Sequence, residues 1–244
     1  MAAPSQHKLT VEIHRTGGPV RYEIPLRDNQ TVLDAVTEVQ RRFAPDLAYR
    51  FACRVGVCGS CAMSVNGIPR WTCRTHVAKV VVDGAISVAP LRNLPVIKDL
   101  VCDMASFFEK WTDAEHGAGA VFDGKATRHD PLPAIDPESP RRKAVDAGIE
   151  CINCAVCYAA CDVVAWDQGY LGPAALNRAW TLANDDRAAN ADAVKAKAQG
   201  VGGCGSCHSH GACVAACPVG LNPTQSIAGL KRRSLFELLR GSGS

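Results

Sequence analysis

Residues Cys151 to Cys161 read Cys151-Ile-Asn-Cys154-Ala-Val-Cys157-Tyr-Ala-Ala-Cys161, a C-x2-C-x2-C-x3-C run. Four thiols this close act together as ligands, not as separate structural groups. In this spacing the first three cysteines hold one 4Fe-4S cubane and the fourth ligates a neighbouring cluster. The run therefore requires a counterpart, since without one Cys161 has no cluster to serve.

The counterpart is Cys207-His-Ser-His210-Gly-Ala-Cys213-Val-Ala-Ala-Cys217-Pro218. It keeps the spacing but puts His210 where the middle cysteine would stand. Exchange of ligands between the runs assigns Cys151, Cys154, Cys157 and Cys217 to a complete 4Fe-4S cluster. Cys161, Cys207 and Cys213 remain, and three thiolates suit a 3Fe-4S cluster, whose missing corner needs no protein ligand. Two alternatives stay open. His210 can in principle fill that corner through its imidazole, and Cys204, in a local C-x2-C with Cys207, can compete. Thiolate is the commoner cluster ligand, so His210 reads rather as a neighbour of the cluster or a surface residue.

A third motif lies near the N-terminus. Cys53-Arg-Val-Gly-Val-Cys58-Gly-Ser-Cys61, with Cys73 beyond an Asn66-Gly67 turn, is the plant-type C-x4-C-x2-C...C pattern of a 2Fe-2S cluster. Gly56 and Gly59 can adopt positive φ and let backbone N-H groups point at an electron-rich centre. Zinc is the competing reading, but zinc spacings match this loop poorly. Around the motif, Leu9, Val11 and Ile13 alternate with polar residues over Lys8 to Arg15, and Val20 to Leu26 alternates again after a Gly-Gly-Pro turn, which predicts a hairpin. Val32, Ala35, Val36, Val39 and Phe43 share a helical face, with Thr31 and Asp34 as its capping box. Two strands, a helix, a ligand loop and a further hairpin predict a β-grasp domain. Arg50, Arg54, Arg70, Arg74 and Lys79 lie between Asp46 and Asp83 with no acid among them. Cations there favour the reduced cluster and predict a potential above the roughly -400 mV of plant-type ferredoxins, unless they serve as a solvated or partner-facing surface.

The remainder predicts a helix from Pro95 to Trp111, carrying Cys102 as a small buried hydrophobe, and an extended connection over His116 to Arg141. Helices follow around Ala144, from Pro173 to Ala183, and after Asn222-Pro223, the last with Ile227, Leu230, Leu235, Leu238 and Leu239 as its apolar positions and Lys231-Arg232-Arg233 as a basic face. The expected fold class is α+β: a β-grasp 2Fe-2S domain over 1-104, an all-α ferredoxin-like domain with the 4Fe-4S and 3Fe-4S clusters over 105-240, and a cloning scar or flexible tail over 241-244. A chain of 244 residues accommodates two such domains. Thirteen cysteines, an odd number clustered in motifs behind an N-terminus without a signal-peptide pattern, point to metal thiolates in a reducing compartment and not to disulfides. No apolar stretch approaches a membrane span, and a net charge of +3 does not point to nucleic acid.

The Cys53-to-Met63 segment, Pro95-Val-Ile-Lys-Asp-Leu100, the Cys151 run, and Cys207-His208 through Cys217-Pro218-Val-Gly-Leu-Asn-Pro223 together resemble the iron-sulfur subunit of succinate dehydrogenase and fumarate reductase. The resemblance implies an electron-transfer subunit that passes single electrons from a flavoprotein carrying FAD, through 2Fe-2S, 4Fe-4S and 3Fe-4S centres, to quinone at a membrane anchor with or without haem b, or runs the reverse path in fumarate reduction. It implies a peripheral location on the cytoplasmic face of the plasma membrane or the matrix face of the inner mitochondrial membrane. It also places Trp166, His208 and Lys231 near the quinone or the 3Fe-4S cluster. The chain departs from the family in Asp162, where many members have proline, in Ala165, where some have a second tryptophan, and in His210 and Cys204, which match no family ligand. No residue set on this chain binds a dicarboxylate or abstracts its protons, and no dinucleotide fingerprint is present, so no catalytic residue is expected here. The alternatives are a cluster-carrying subunit of another flavin-linked reductase and a zinc-binding interaction module.

Overall fold

The computed structural model describes residues 8-115, 129 and 135-241. The chain divides into two compact units, Met1–Met104 with Ile152–Ala160, and Ala105–Cys151 with Cys161–Ser244.

In the first unit, strands β1 (Lys8–Arg15) and β2 (Gly18–Pro25) pair antiparallel in a register running from Lys8 opposite Pro25 to Arg15 opposite Gly18. Leu9, Val11 and Ile13 are fully buried, as the two-residue period of a strand with one covered face requires. Helix α1 (Val32–Arg42) covers that face with Val32, Ala35, Val36 and Val39. Its N-terminus is closed reciprocally: Asp34 N donates to Thr31 Oγ1 at 3.1 Å, and Thr31 N donates to Asp34 Oδ2 at 3.0 Å. Phe43 does not join the helical face. The helix ends at Arg42, and Phe43 sits 47% exposed with its ring centroid 6.0 Å from that of Tyr22.

Strands β3 (Ala62–Val65) and β4 (Ile68–Trp71) form the expected hairpin around Asn66 and Gly67, both at positive φ. The Asn66 side chain donates to Val80 O at 2.6 Å and accepts from Ser87 N at 2.8 Å, tying the turn to its neighbours. Strand β5 (Ala85–Ala89) lies parallel to β1 and antiparallel to β3, giving a mixed sheet in the order β2-β1-β5-β3-β4. One sheet under one helix is the β-grasp arrangement expected above.

The helix expected from Pro95 begins only at Ala105. Residues before it form an antiparallel pair, β6 (Val96–Lys98) and β7 (Val101–Cys102), and α2 spans Ala105–Ala114. The cause is Asp99, which is 3% exposed and adopts φ 47°. Its carboxylate accepts from Ala48 N at 3.0 Å and Thr16 N at 3.1 Å and pairs with Arg15, while its own N-H donates to Thr16 Oγ1 at 3.0 Å. These fixed partners hold a tight turn in the middle of the apolar periodicity. Cys102 accordingly lies on β7, buried as expected, with its thiol donating to Leu91 O at 3.6 Å.

The connection expected over 116-141 falls mostly outside the described residues, and its end is already helical in α3 (Pro140–Val145), where Arg142 N donates to Ser139 Oγ at 3.1 Å. A single turn, α4 (Val156–Ala159), belongs to the first unit. The second unit continues with α5 (Asp162–Trp166), α6 (Pro173–Ala183), α7 (Ala191–Gln199), α8 (Ala212–Ala216) and α9 (Pro223–Gly241). Helix α6 is its centre: nearly every residue is buried, Pro173 stands in the first turn, and Trp180 Nε1 donates to Ala144 O at 3.0 Å. Asn222 Oδ1 accepts from Gln225 N at 2.9 Å and caps α9. Ile227 and Leu230 of α9 are buried, but Leu235, Phe236 and Leu239 are exposed, so the apolar positions read from the sequence do not all face the core. Gly241 ends α9, while residues 242-244 and the Leu238 side chain lie outside the described residues.

Candidate iron-sulfur centres

In the first unit the four cysteines of the plant-type motif draw together in pairs. Main-chain donors link Cys53 with Cys58 and Cys73 with Cys61. Two pairs of sulfurs fit a centre of two irons, each taking two thiolates. Cys61 and Cys73 are buried, and Cys53 and Cys58 are half-buried. Backbone donors aim at the sulfurs: Val57 N to Cys53 Sγ at 3.4 Å, Cys53 N to Cys58 Sγ at 3.5 Å and Cys73 N to Cys61 Sγ at 3.5 Å. The N-H groups of Val57 and Val55 pull the Cys53 thiol down to about 6, whereas burial pushes Cys73 up to about 12.

Gly56, at φ +80°, has no room for a side chain: a Cβ there would stand 2.8 Å from the Trp71 ring and 3.0 Å from Arg74 Cγ. Among the basic residues of this loop, Arg50 donates to Cys102 O at 3.0 Å and Arg54 lies 4.7 Å over the Phe51 ring. Among the described residues no three His, Cys, Asp or Glu groups converge as they would around one metal ion.

The two later cysteine runs repeat each other in backbone as well as in spacing. Asn153 and Ala155 have φ 55° and 58°, and Ser209 and Gly211, in the same places of the second run, have φ 58° and 79°. Each run then enters a single helical turn, α4 or α8. The repeat registers His210 with Cys154, Cys207 with Cys151 and Cys213 with Cys157. Ala155 and Asn153 are non-glycine residues in the left-handed region, an uncommon conformation of the kind that persists where ligand geometry demands it.

Within the second unit, Cys161 and Cys213 are buried and Cys207 is half-buried. Leu221 N donates to Cys217 Sγ at 3.3 Å and Ser209 N to Cys207 Sγ at 3.4 Å. Three side chains reach the remaining sulfurs. Thr224 Oγ1 lies 3.4 Å from Cys213 Sγ, His210 Nε2 lies 4.0 Å from Cys161 Sγ, and burial together with the neighbouring Cys207 and Cys161 sulfurs raises the hydroxyl of Tyr170, 1% exposed. Burial raises the Cys161 and Cys213 thiols. Cys204 is also buried, in the turn Cys204–Ser206, and burial raises its thiol too. Trp166 is 75% exposed with its ring 6.5 Å from that of His208, and Lys231 Nζ donates to Cys207 O at 2.6 Å. Tyr170 and Thr224 carry no motif that the sequence could have announced.

Comparison with known proteins identifies two cluster-binding domain types on this chain. The family model of the 2Fe-2S iron-sulfur cluster binding domain matches residues 12–109, and that of the 4Fe-4S dicluster domain matches residues 150–222. The fumarate reductase iron-sulfur subunit of Mycobacterium tuberculosis is 37% identical over 90% of this chain and 87% of its own length. The chain belongs to the succinate dehydrogenase and fumarate reductase iron-sulfur subunit family. The mitochondrial succinate dehydrogenase iron-sulfur subunit of Dictyostelium discoideum is 32% identical over 86% of this chain and 74% of its own. A chain of the Mycobacterium smegmatis Sdh1 complex in the apo form superposes with a TM-score of 0.82 at 27% identity, covering 94% of this iron-sulfur subunit and 96% of that chain.

Proposed function

We propose that this chain is the electron-transfer subunit of a membrane-bound succinate:quinone oxidoreductase, linking a flavoprotein subunit that carries FAD to quinone at a membrane-anchor subunit. When bound, a 2Fe-2S, a 4Fe-4S and a 3Fe-4S cluster supply one-electron carriers. Cys53, Cys58, Cys61 and Cys73 hold the first, Cys151, Cys154, Cys157 and Cys217 the second, and Cys161, Cys207 and Cys213 the third. The chain's own residues exclude water from the sulfurs, aim backbone N-H groups at them and set their spacing. Trp166, His208 and Lys231, grouped around Cys207, are the candidate quinone-side residues. The membrane-anchor subunit supplies the membrane attachment in this reading; no helix among the described residues is long and apolar enough to cross a membrane.

The observation that carries this reading is the repeated backbone of the two runs. It sets His210 in register with Cys154 and leaves three sulfurs where the other run has four. The test is low-temperature EPR with iron and sulfide analysis on the purified complex. A ferricyanide-oxidised sample should show the 3Fe-4S signal, and Cys213→Ser should abolish it while the reduced 2Fe-2S signal persists. A wild-type sample without that signal would overturn the assignment of the third centre.

A further inference from the structure

The three sulfurs of Cys161, Cys207 and Cys213 each face a different side-chain group. Tyr170 is buried, and among the sulfurs Cys207 acts most strongly on its hydroxyl, which places that hydroxyl beside Cys207. Thr224, in the first turn of α9, lies 3.4 Å from Cys213 Sγ and is the stronger donor of that pair when the sulfur is a thiolate. His210 lies 4.0 Å from Cys161 Sγ through Nε2. Its other ring nitrogen settles the tautomer: Ala212 N donates to Nδ1 at 3.2 Å, so Nδ1 holds a lone pair and a neutral ring carries its proton on Nε2. That proton points at Cys161. The same geometry makes Nε2 a donor and not a lone-pair ligand, which gives a chemical role to the histidine standing in the place of a cysteine.

We propose that Tyr170, Thr224 and His210 are positioning residues that each place one hydrogen bond on a cluster-ligating sulfur and together raise the reduction potential of the centre held by Cys161, Cys207 and Cys213. This rests on the reading that those three cysteines hold the 3Fe-4S cluster. Reduction adds one electron and no proton at these sulfurs. The negative charge on the cluster and its thiolates grows, and donors strengthen their bonds to the reduced form more than to the oxidised one. Each donor keeps its proton throughout. Tyr170 acts from the driest position, so its bond is the least screened, Thr224 comes next, and His210, exposed and longest, contributes least.

The experiment is potentiometric EPR titration of the 3Fe-4S signal in the intact complex for wild type, Tyr170→Phe, Thr224→Val, Thr224→Ser and His210→Leu. The 2Fe-2S signal of the other unit serves as internal reference. Tyr170→Phe removes one oxygen and should shift the equilibrium toward the oxidised cluster by up to about tenfold, about 59 mV for one electron. Thr224→Val should shift it less, and His210→Leu least. Thr224→Ser, which keeps the hydroxyl, should restore the wild-type midpoint. A 3Fe-4S signal present at wild-type intensity with an unmoved midpoint in all three deletion variants would overturn the proposal. So would loss of the cluster in all three, since the donors would then be structural supports. Absence of the 3Fe-4S signal from wild type would instead overturn the assignment of the centre on which the proposal rests.

Discussion

Gly59 is packed directly on Cys154: a Cβ at Gly59 would stand 2.6 Å from the Cys154 Cβ and 2.8 Å from its Cα. Gly59 belongs to the loop between Cys58 and Cys61, and Cys154 to the first of the two later runs, yet both lie in the first unit. The backbone of one cysteine loop thus touches a cysteine of the next run. A glycine is the residue that leaves nothing but backbone between the two loops.

Gly59→Ala combines that overlap with a φ of +71°, so no small shift accommodates it. We expect the variant to lose iron and sulfide from the purified protein and to weaken both the 2Fe-2S and the 4Fe-4S EPR signals. Gly67→Ala, also at positive φ but with nothing within 4 Å, should cost about 1 kcal/mol of stability and leave both signals intact. Equal cluster content in the two variants would refute the packing role.

Asp99 carries a pH dependence. Burial alone would raise its pKa, but the N-H groups of Ala48 and Thr16 and the Arg15 guanidinium outweigh that and hold the carboxyl below its ordinary value. A group with a depressed folded pKa contributes stability that is present above its unfolded pKa and is lost as the pH falls through the folded one. Urea unfolding of the first unit, followed by far-UV circular dichroism, should show stability falling with acid below about pH 4. Asp99→Asn should flatten that dependence and cost about 1-3 kcal/mol at neutral pH by leaving the N-H groups of Ala48 and Thr16 without a charged acceptor, while Arg15 keeps Asp46.

Gly229 of α9 faces the ring of Trp180, where a Cβ would come within 2.6 Å. The ring cannot swing away, because its Nε1 is held by Ala144 O and the Arg233 guanidinium lies 4.7 Å over its face. Gly229→Ala should therefore destabilise the helical unit by about 1-3 kcal/mol despite its better helix propensity. Thermal unfolding monitored by tryptophan fluorescence measures this, and a stabilised variant would contradict the packing.

Thr31→Ala removes one half of the capping box of α1. Its expected cost is about 1 kcal/mol, with no change in any EPR signal. Chemical denaturation of wild type and variant side by side reads the difference.

Much of this protein is legible residue by residue because the interactions are short-range. The capping box joins Thr31 to Asp34, the hairpin turn is Asn66-Gly67, and Pro173 opens a helix that ends at Ala183 as its periodicity predicts. Ligand spacing is equally local: three cysteines separated by two residues each leave few ways to fold around one inorganic centre. The sequence by itself thus determined the three sulfur motifs, the β-grasp elements and the odd place of His210. It misread Pro95 to Met104, where a helical periodicity yields to Asp99, because the partners of that carboxylate, Arg15, Thr16 and Ala48, lie far away along the chain. Tertiary structure alone decided that β5 inserts parallel to β1, that Gly59 meets Cys154, and that Tyr170, Thr224 and His210 each meet a different sulfur. These are contacts between distant segments, made only when long loops close over a common core, and no local pattern encodes which side chain will be waiting there.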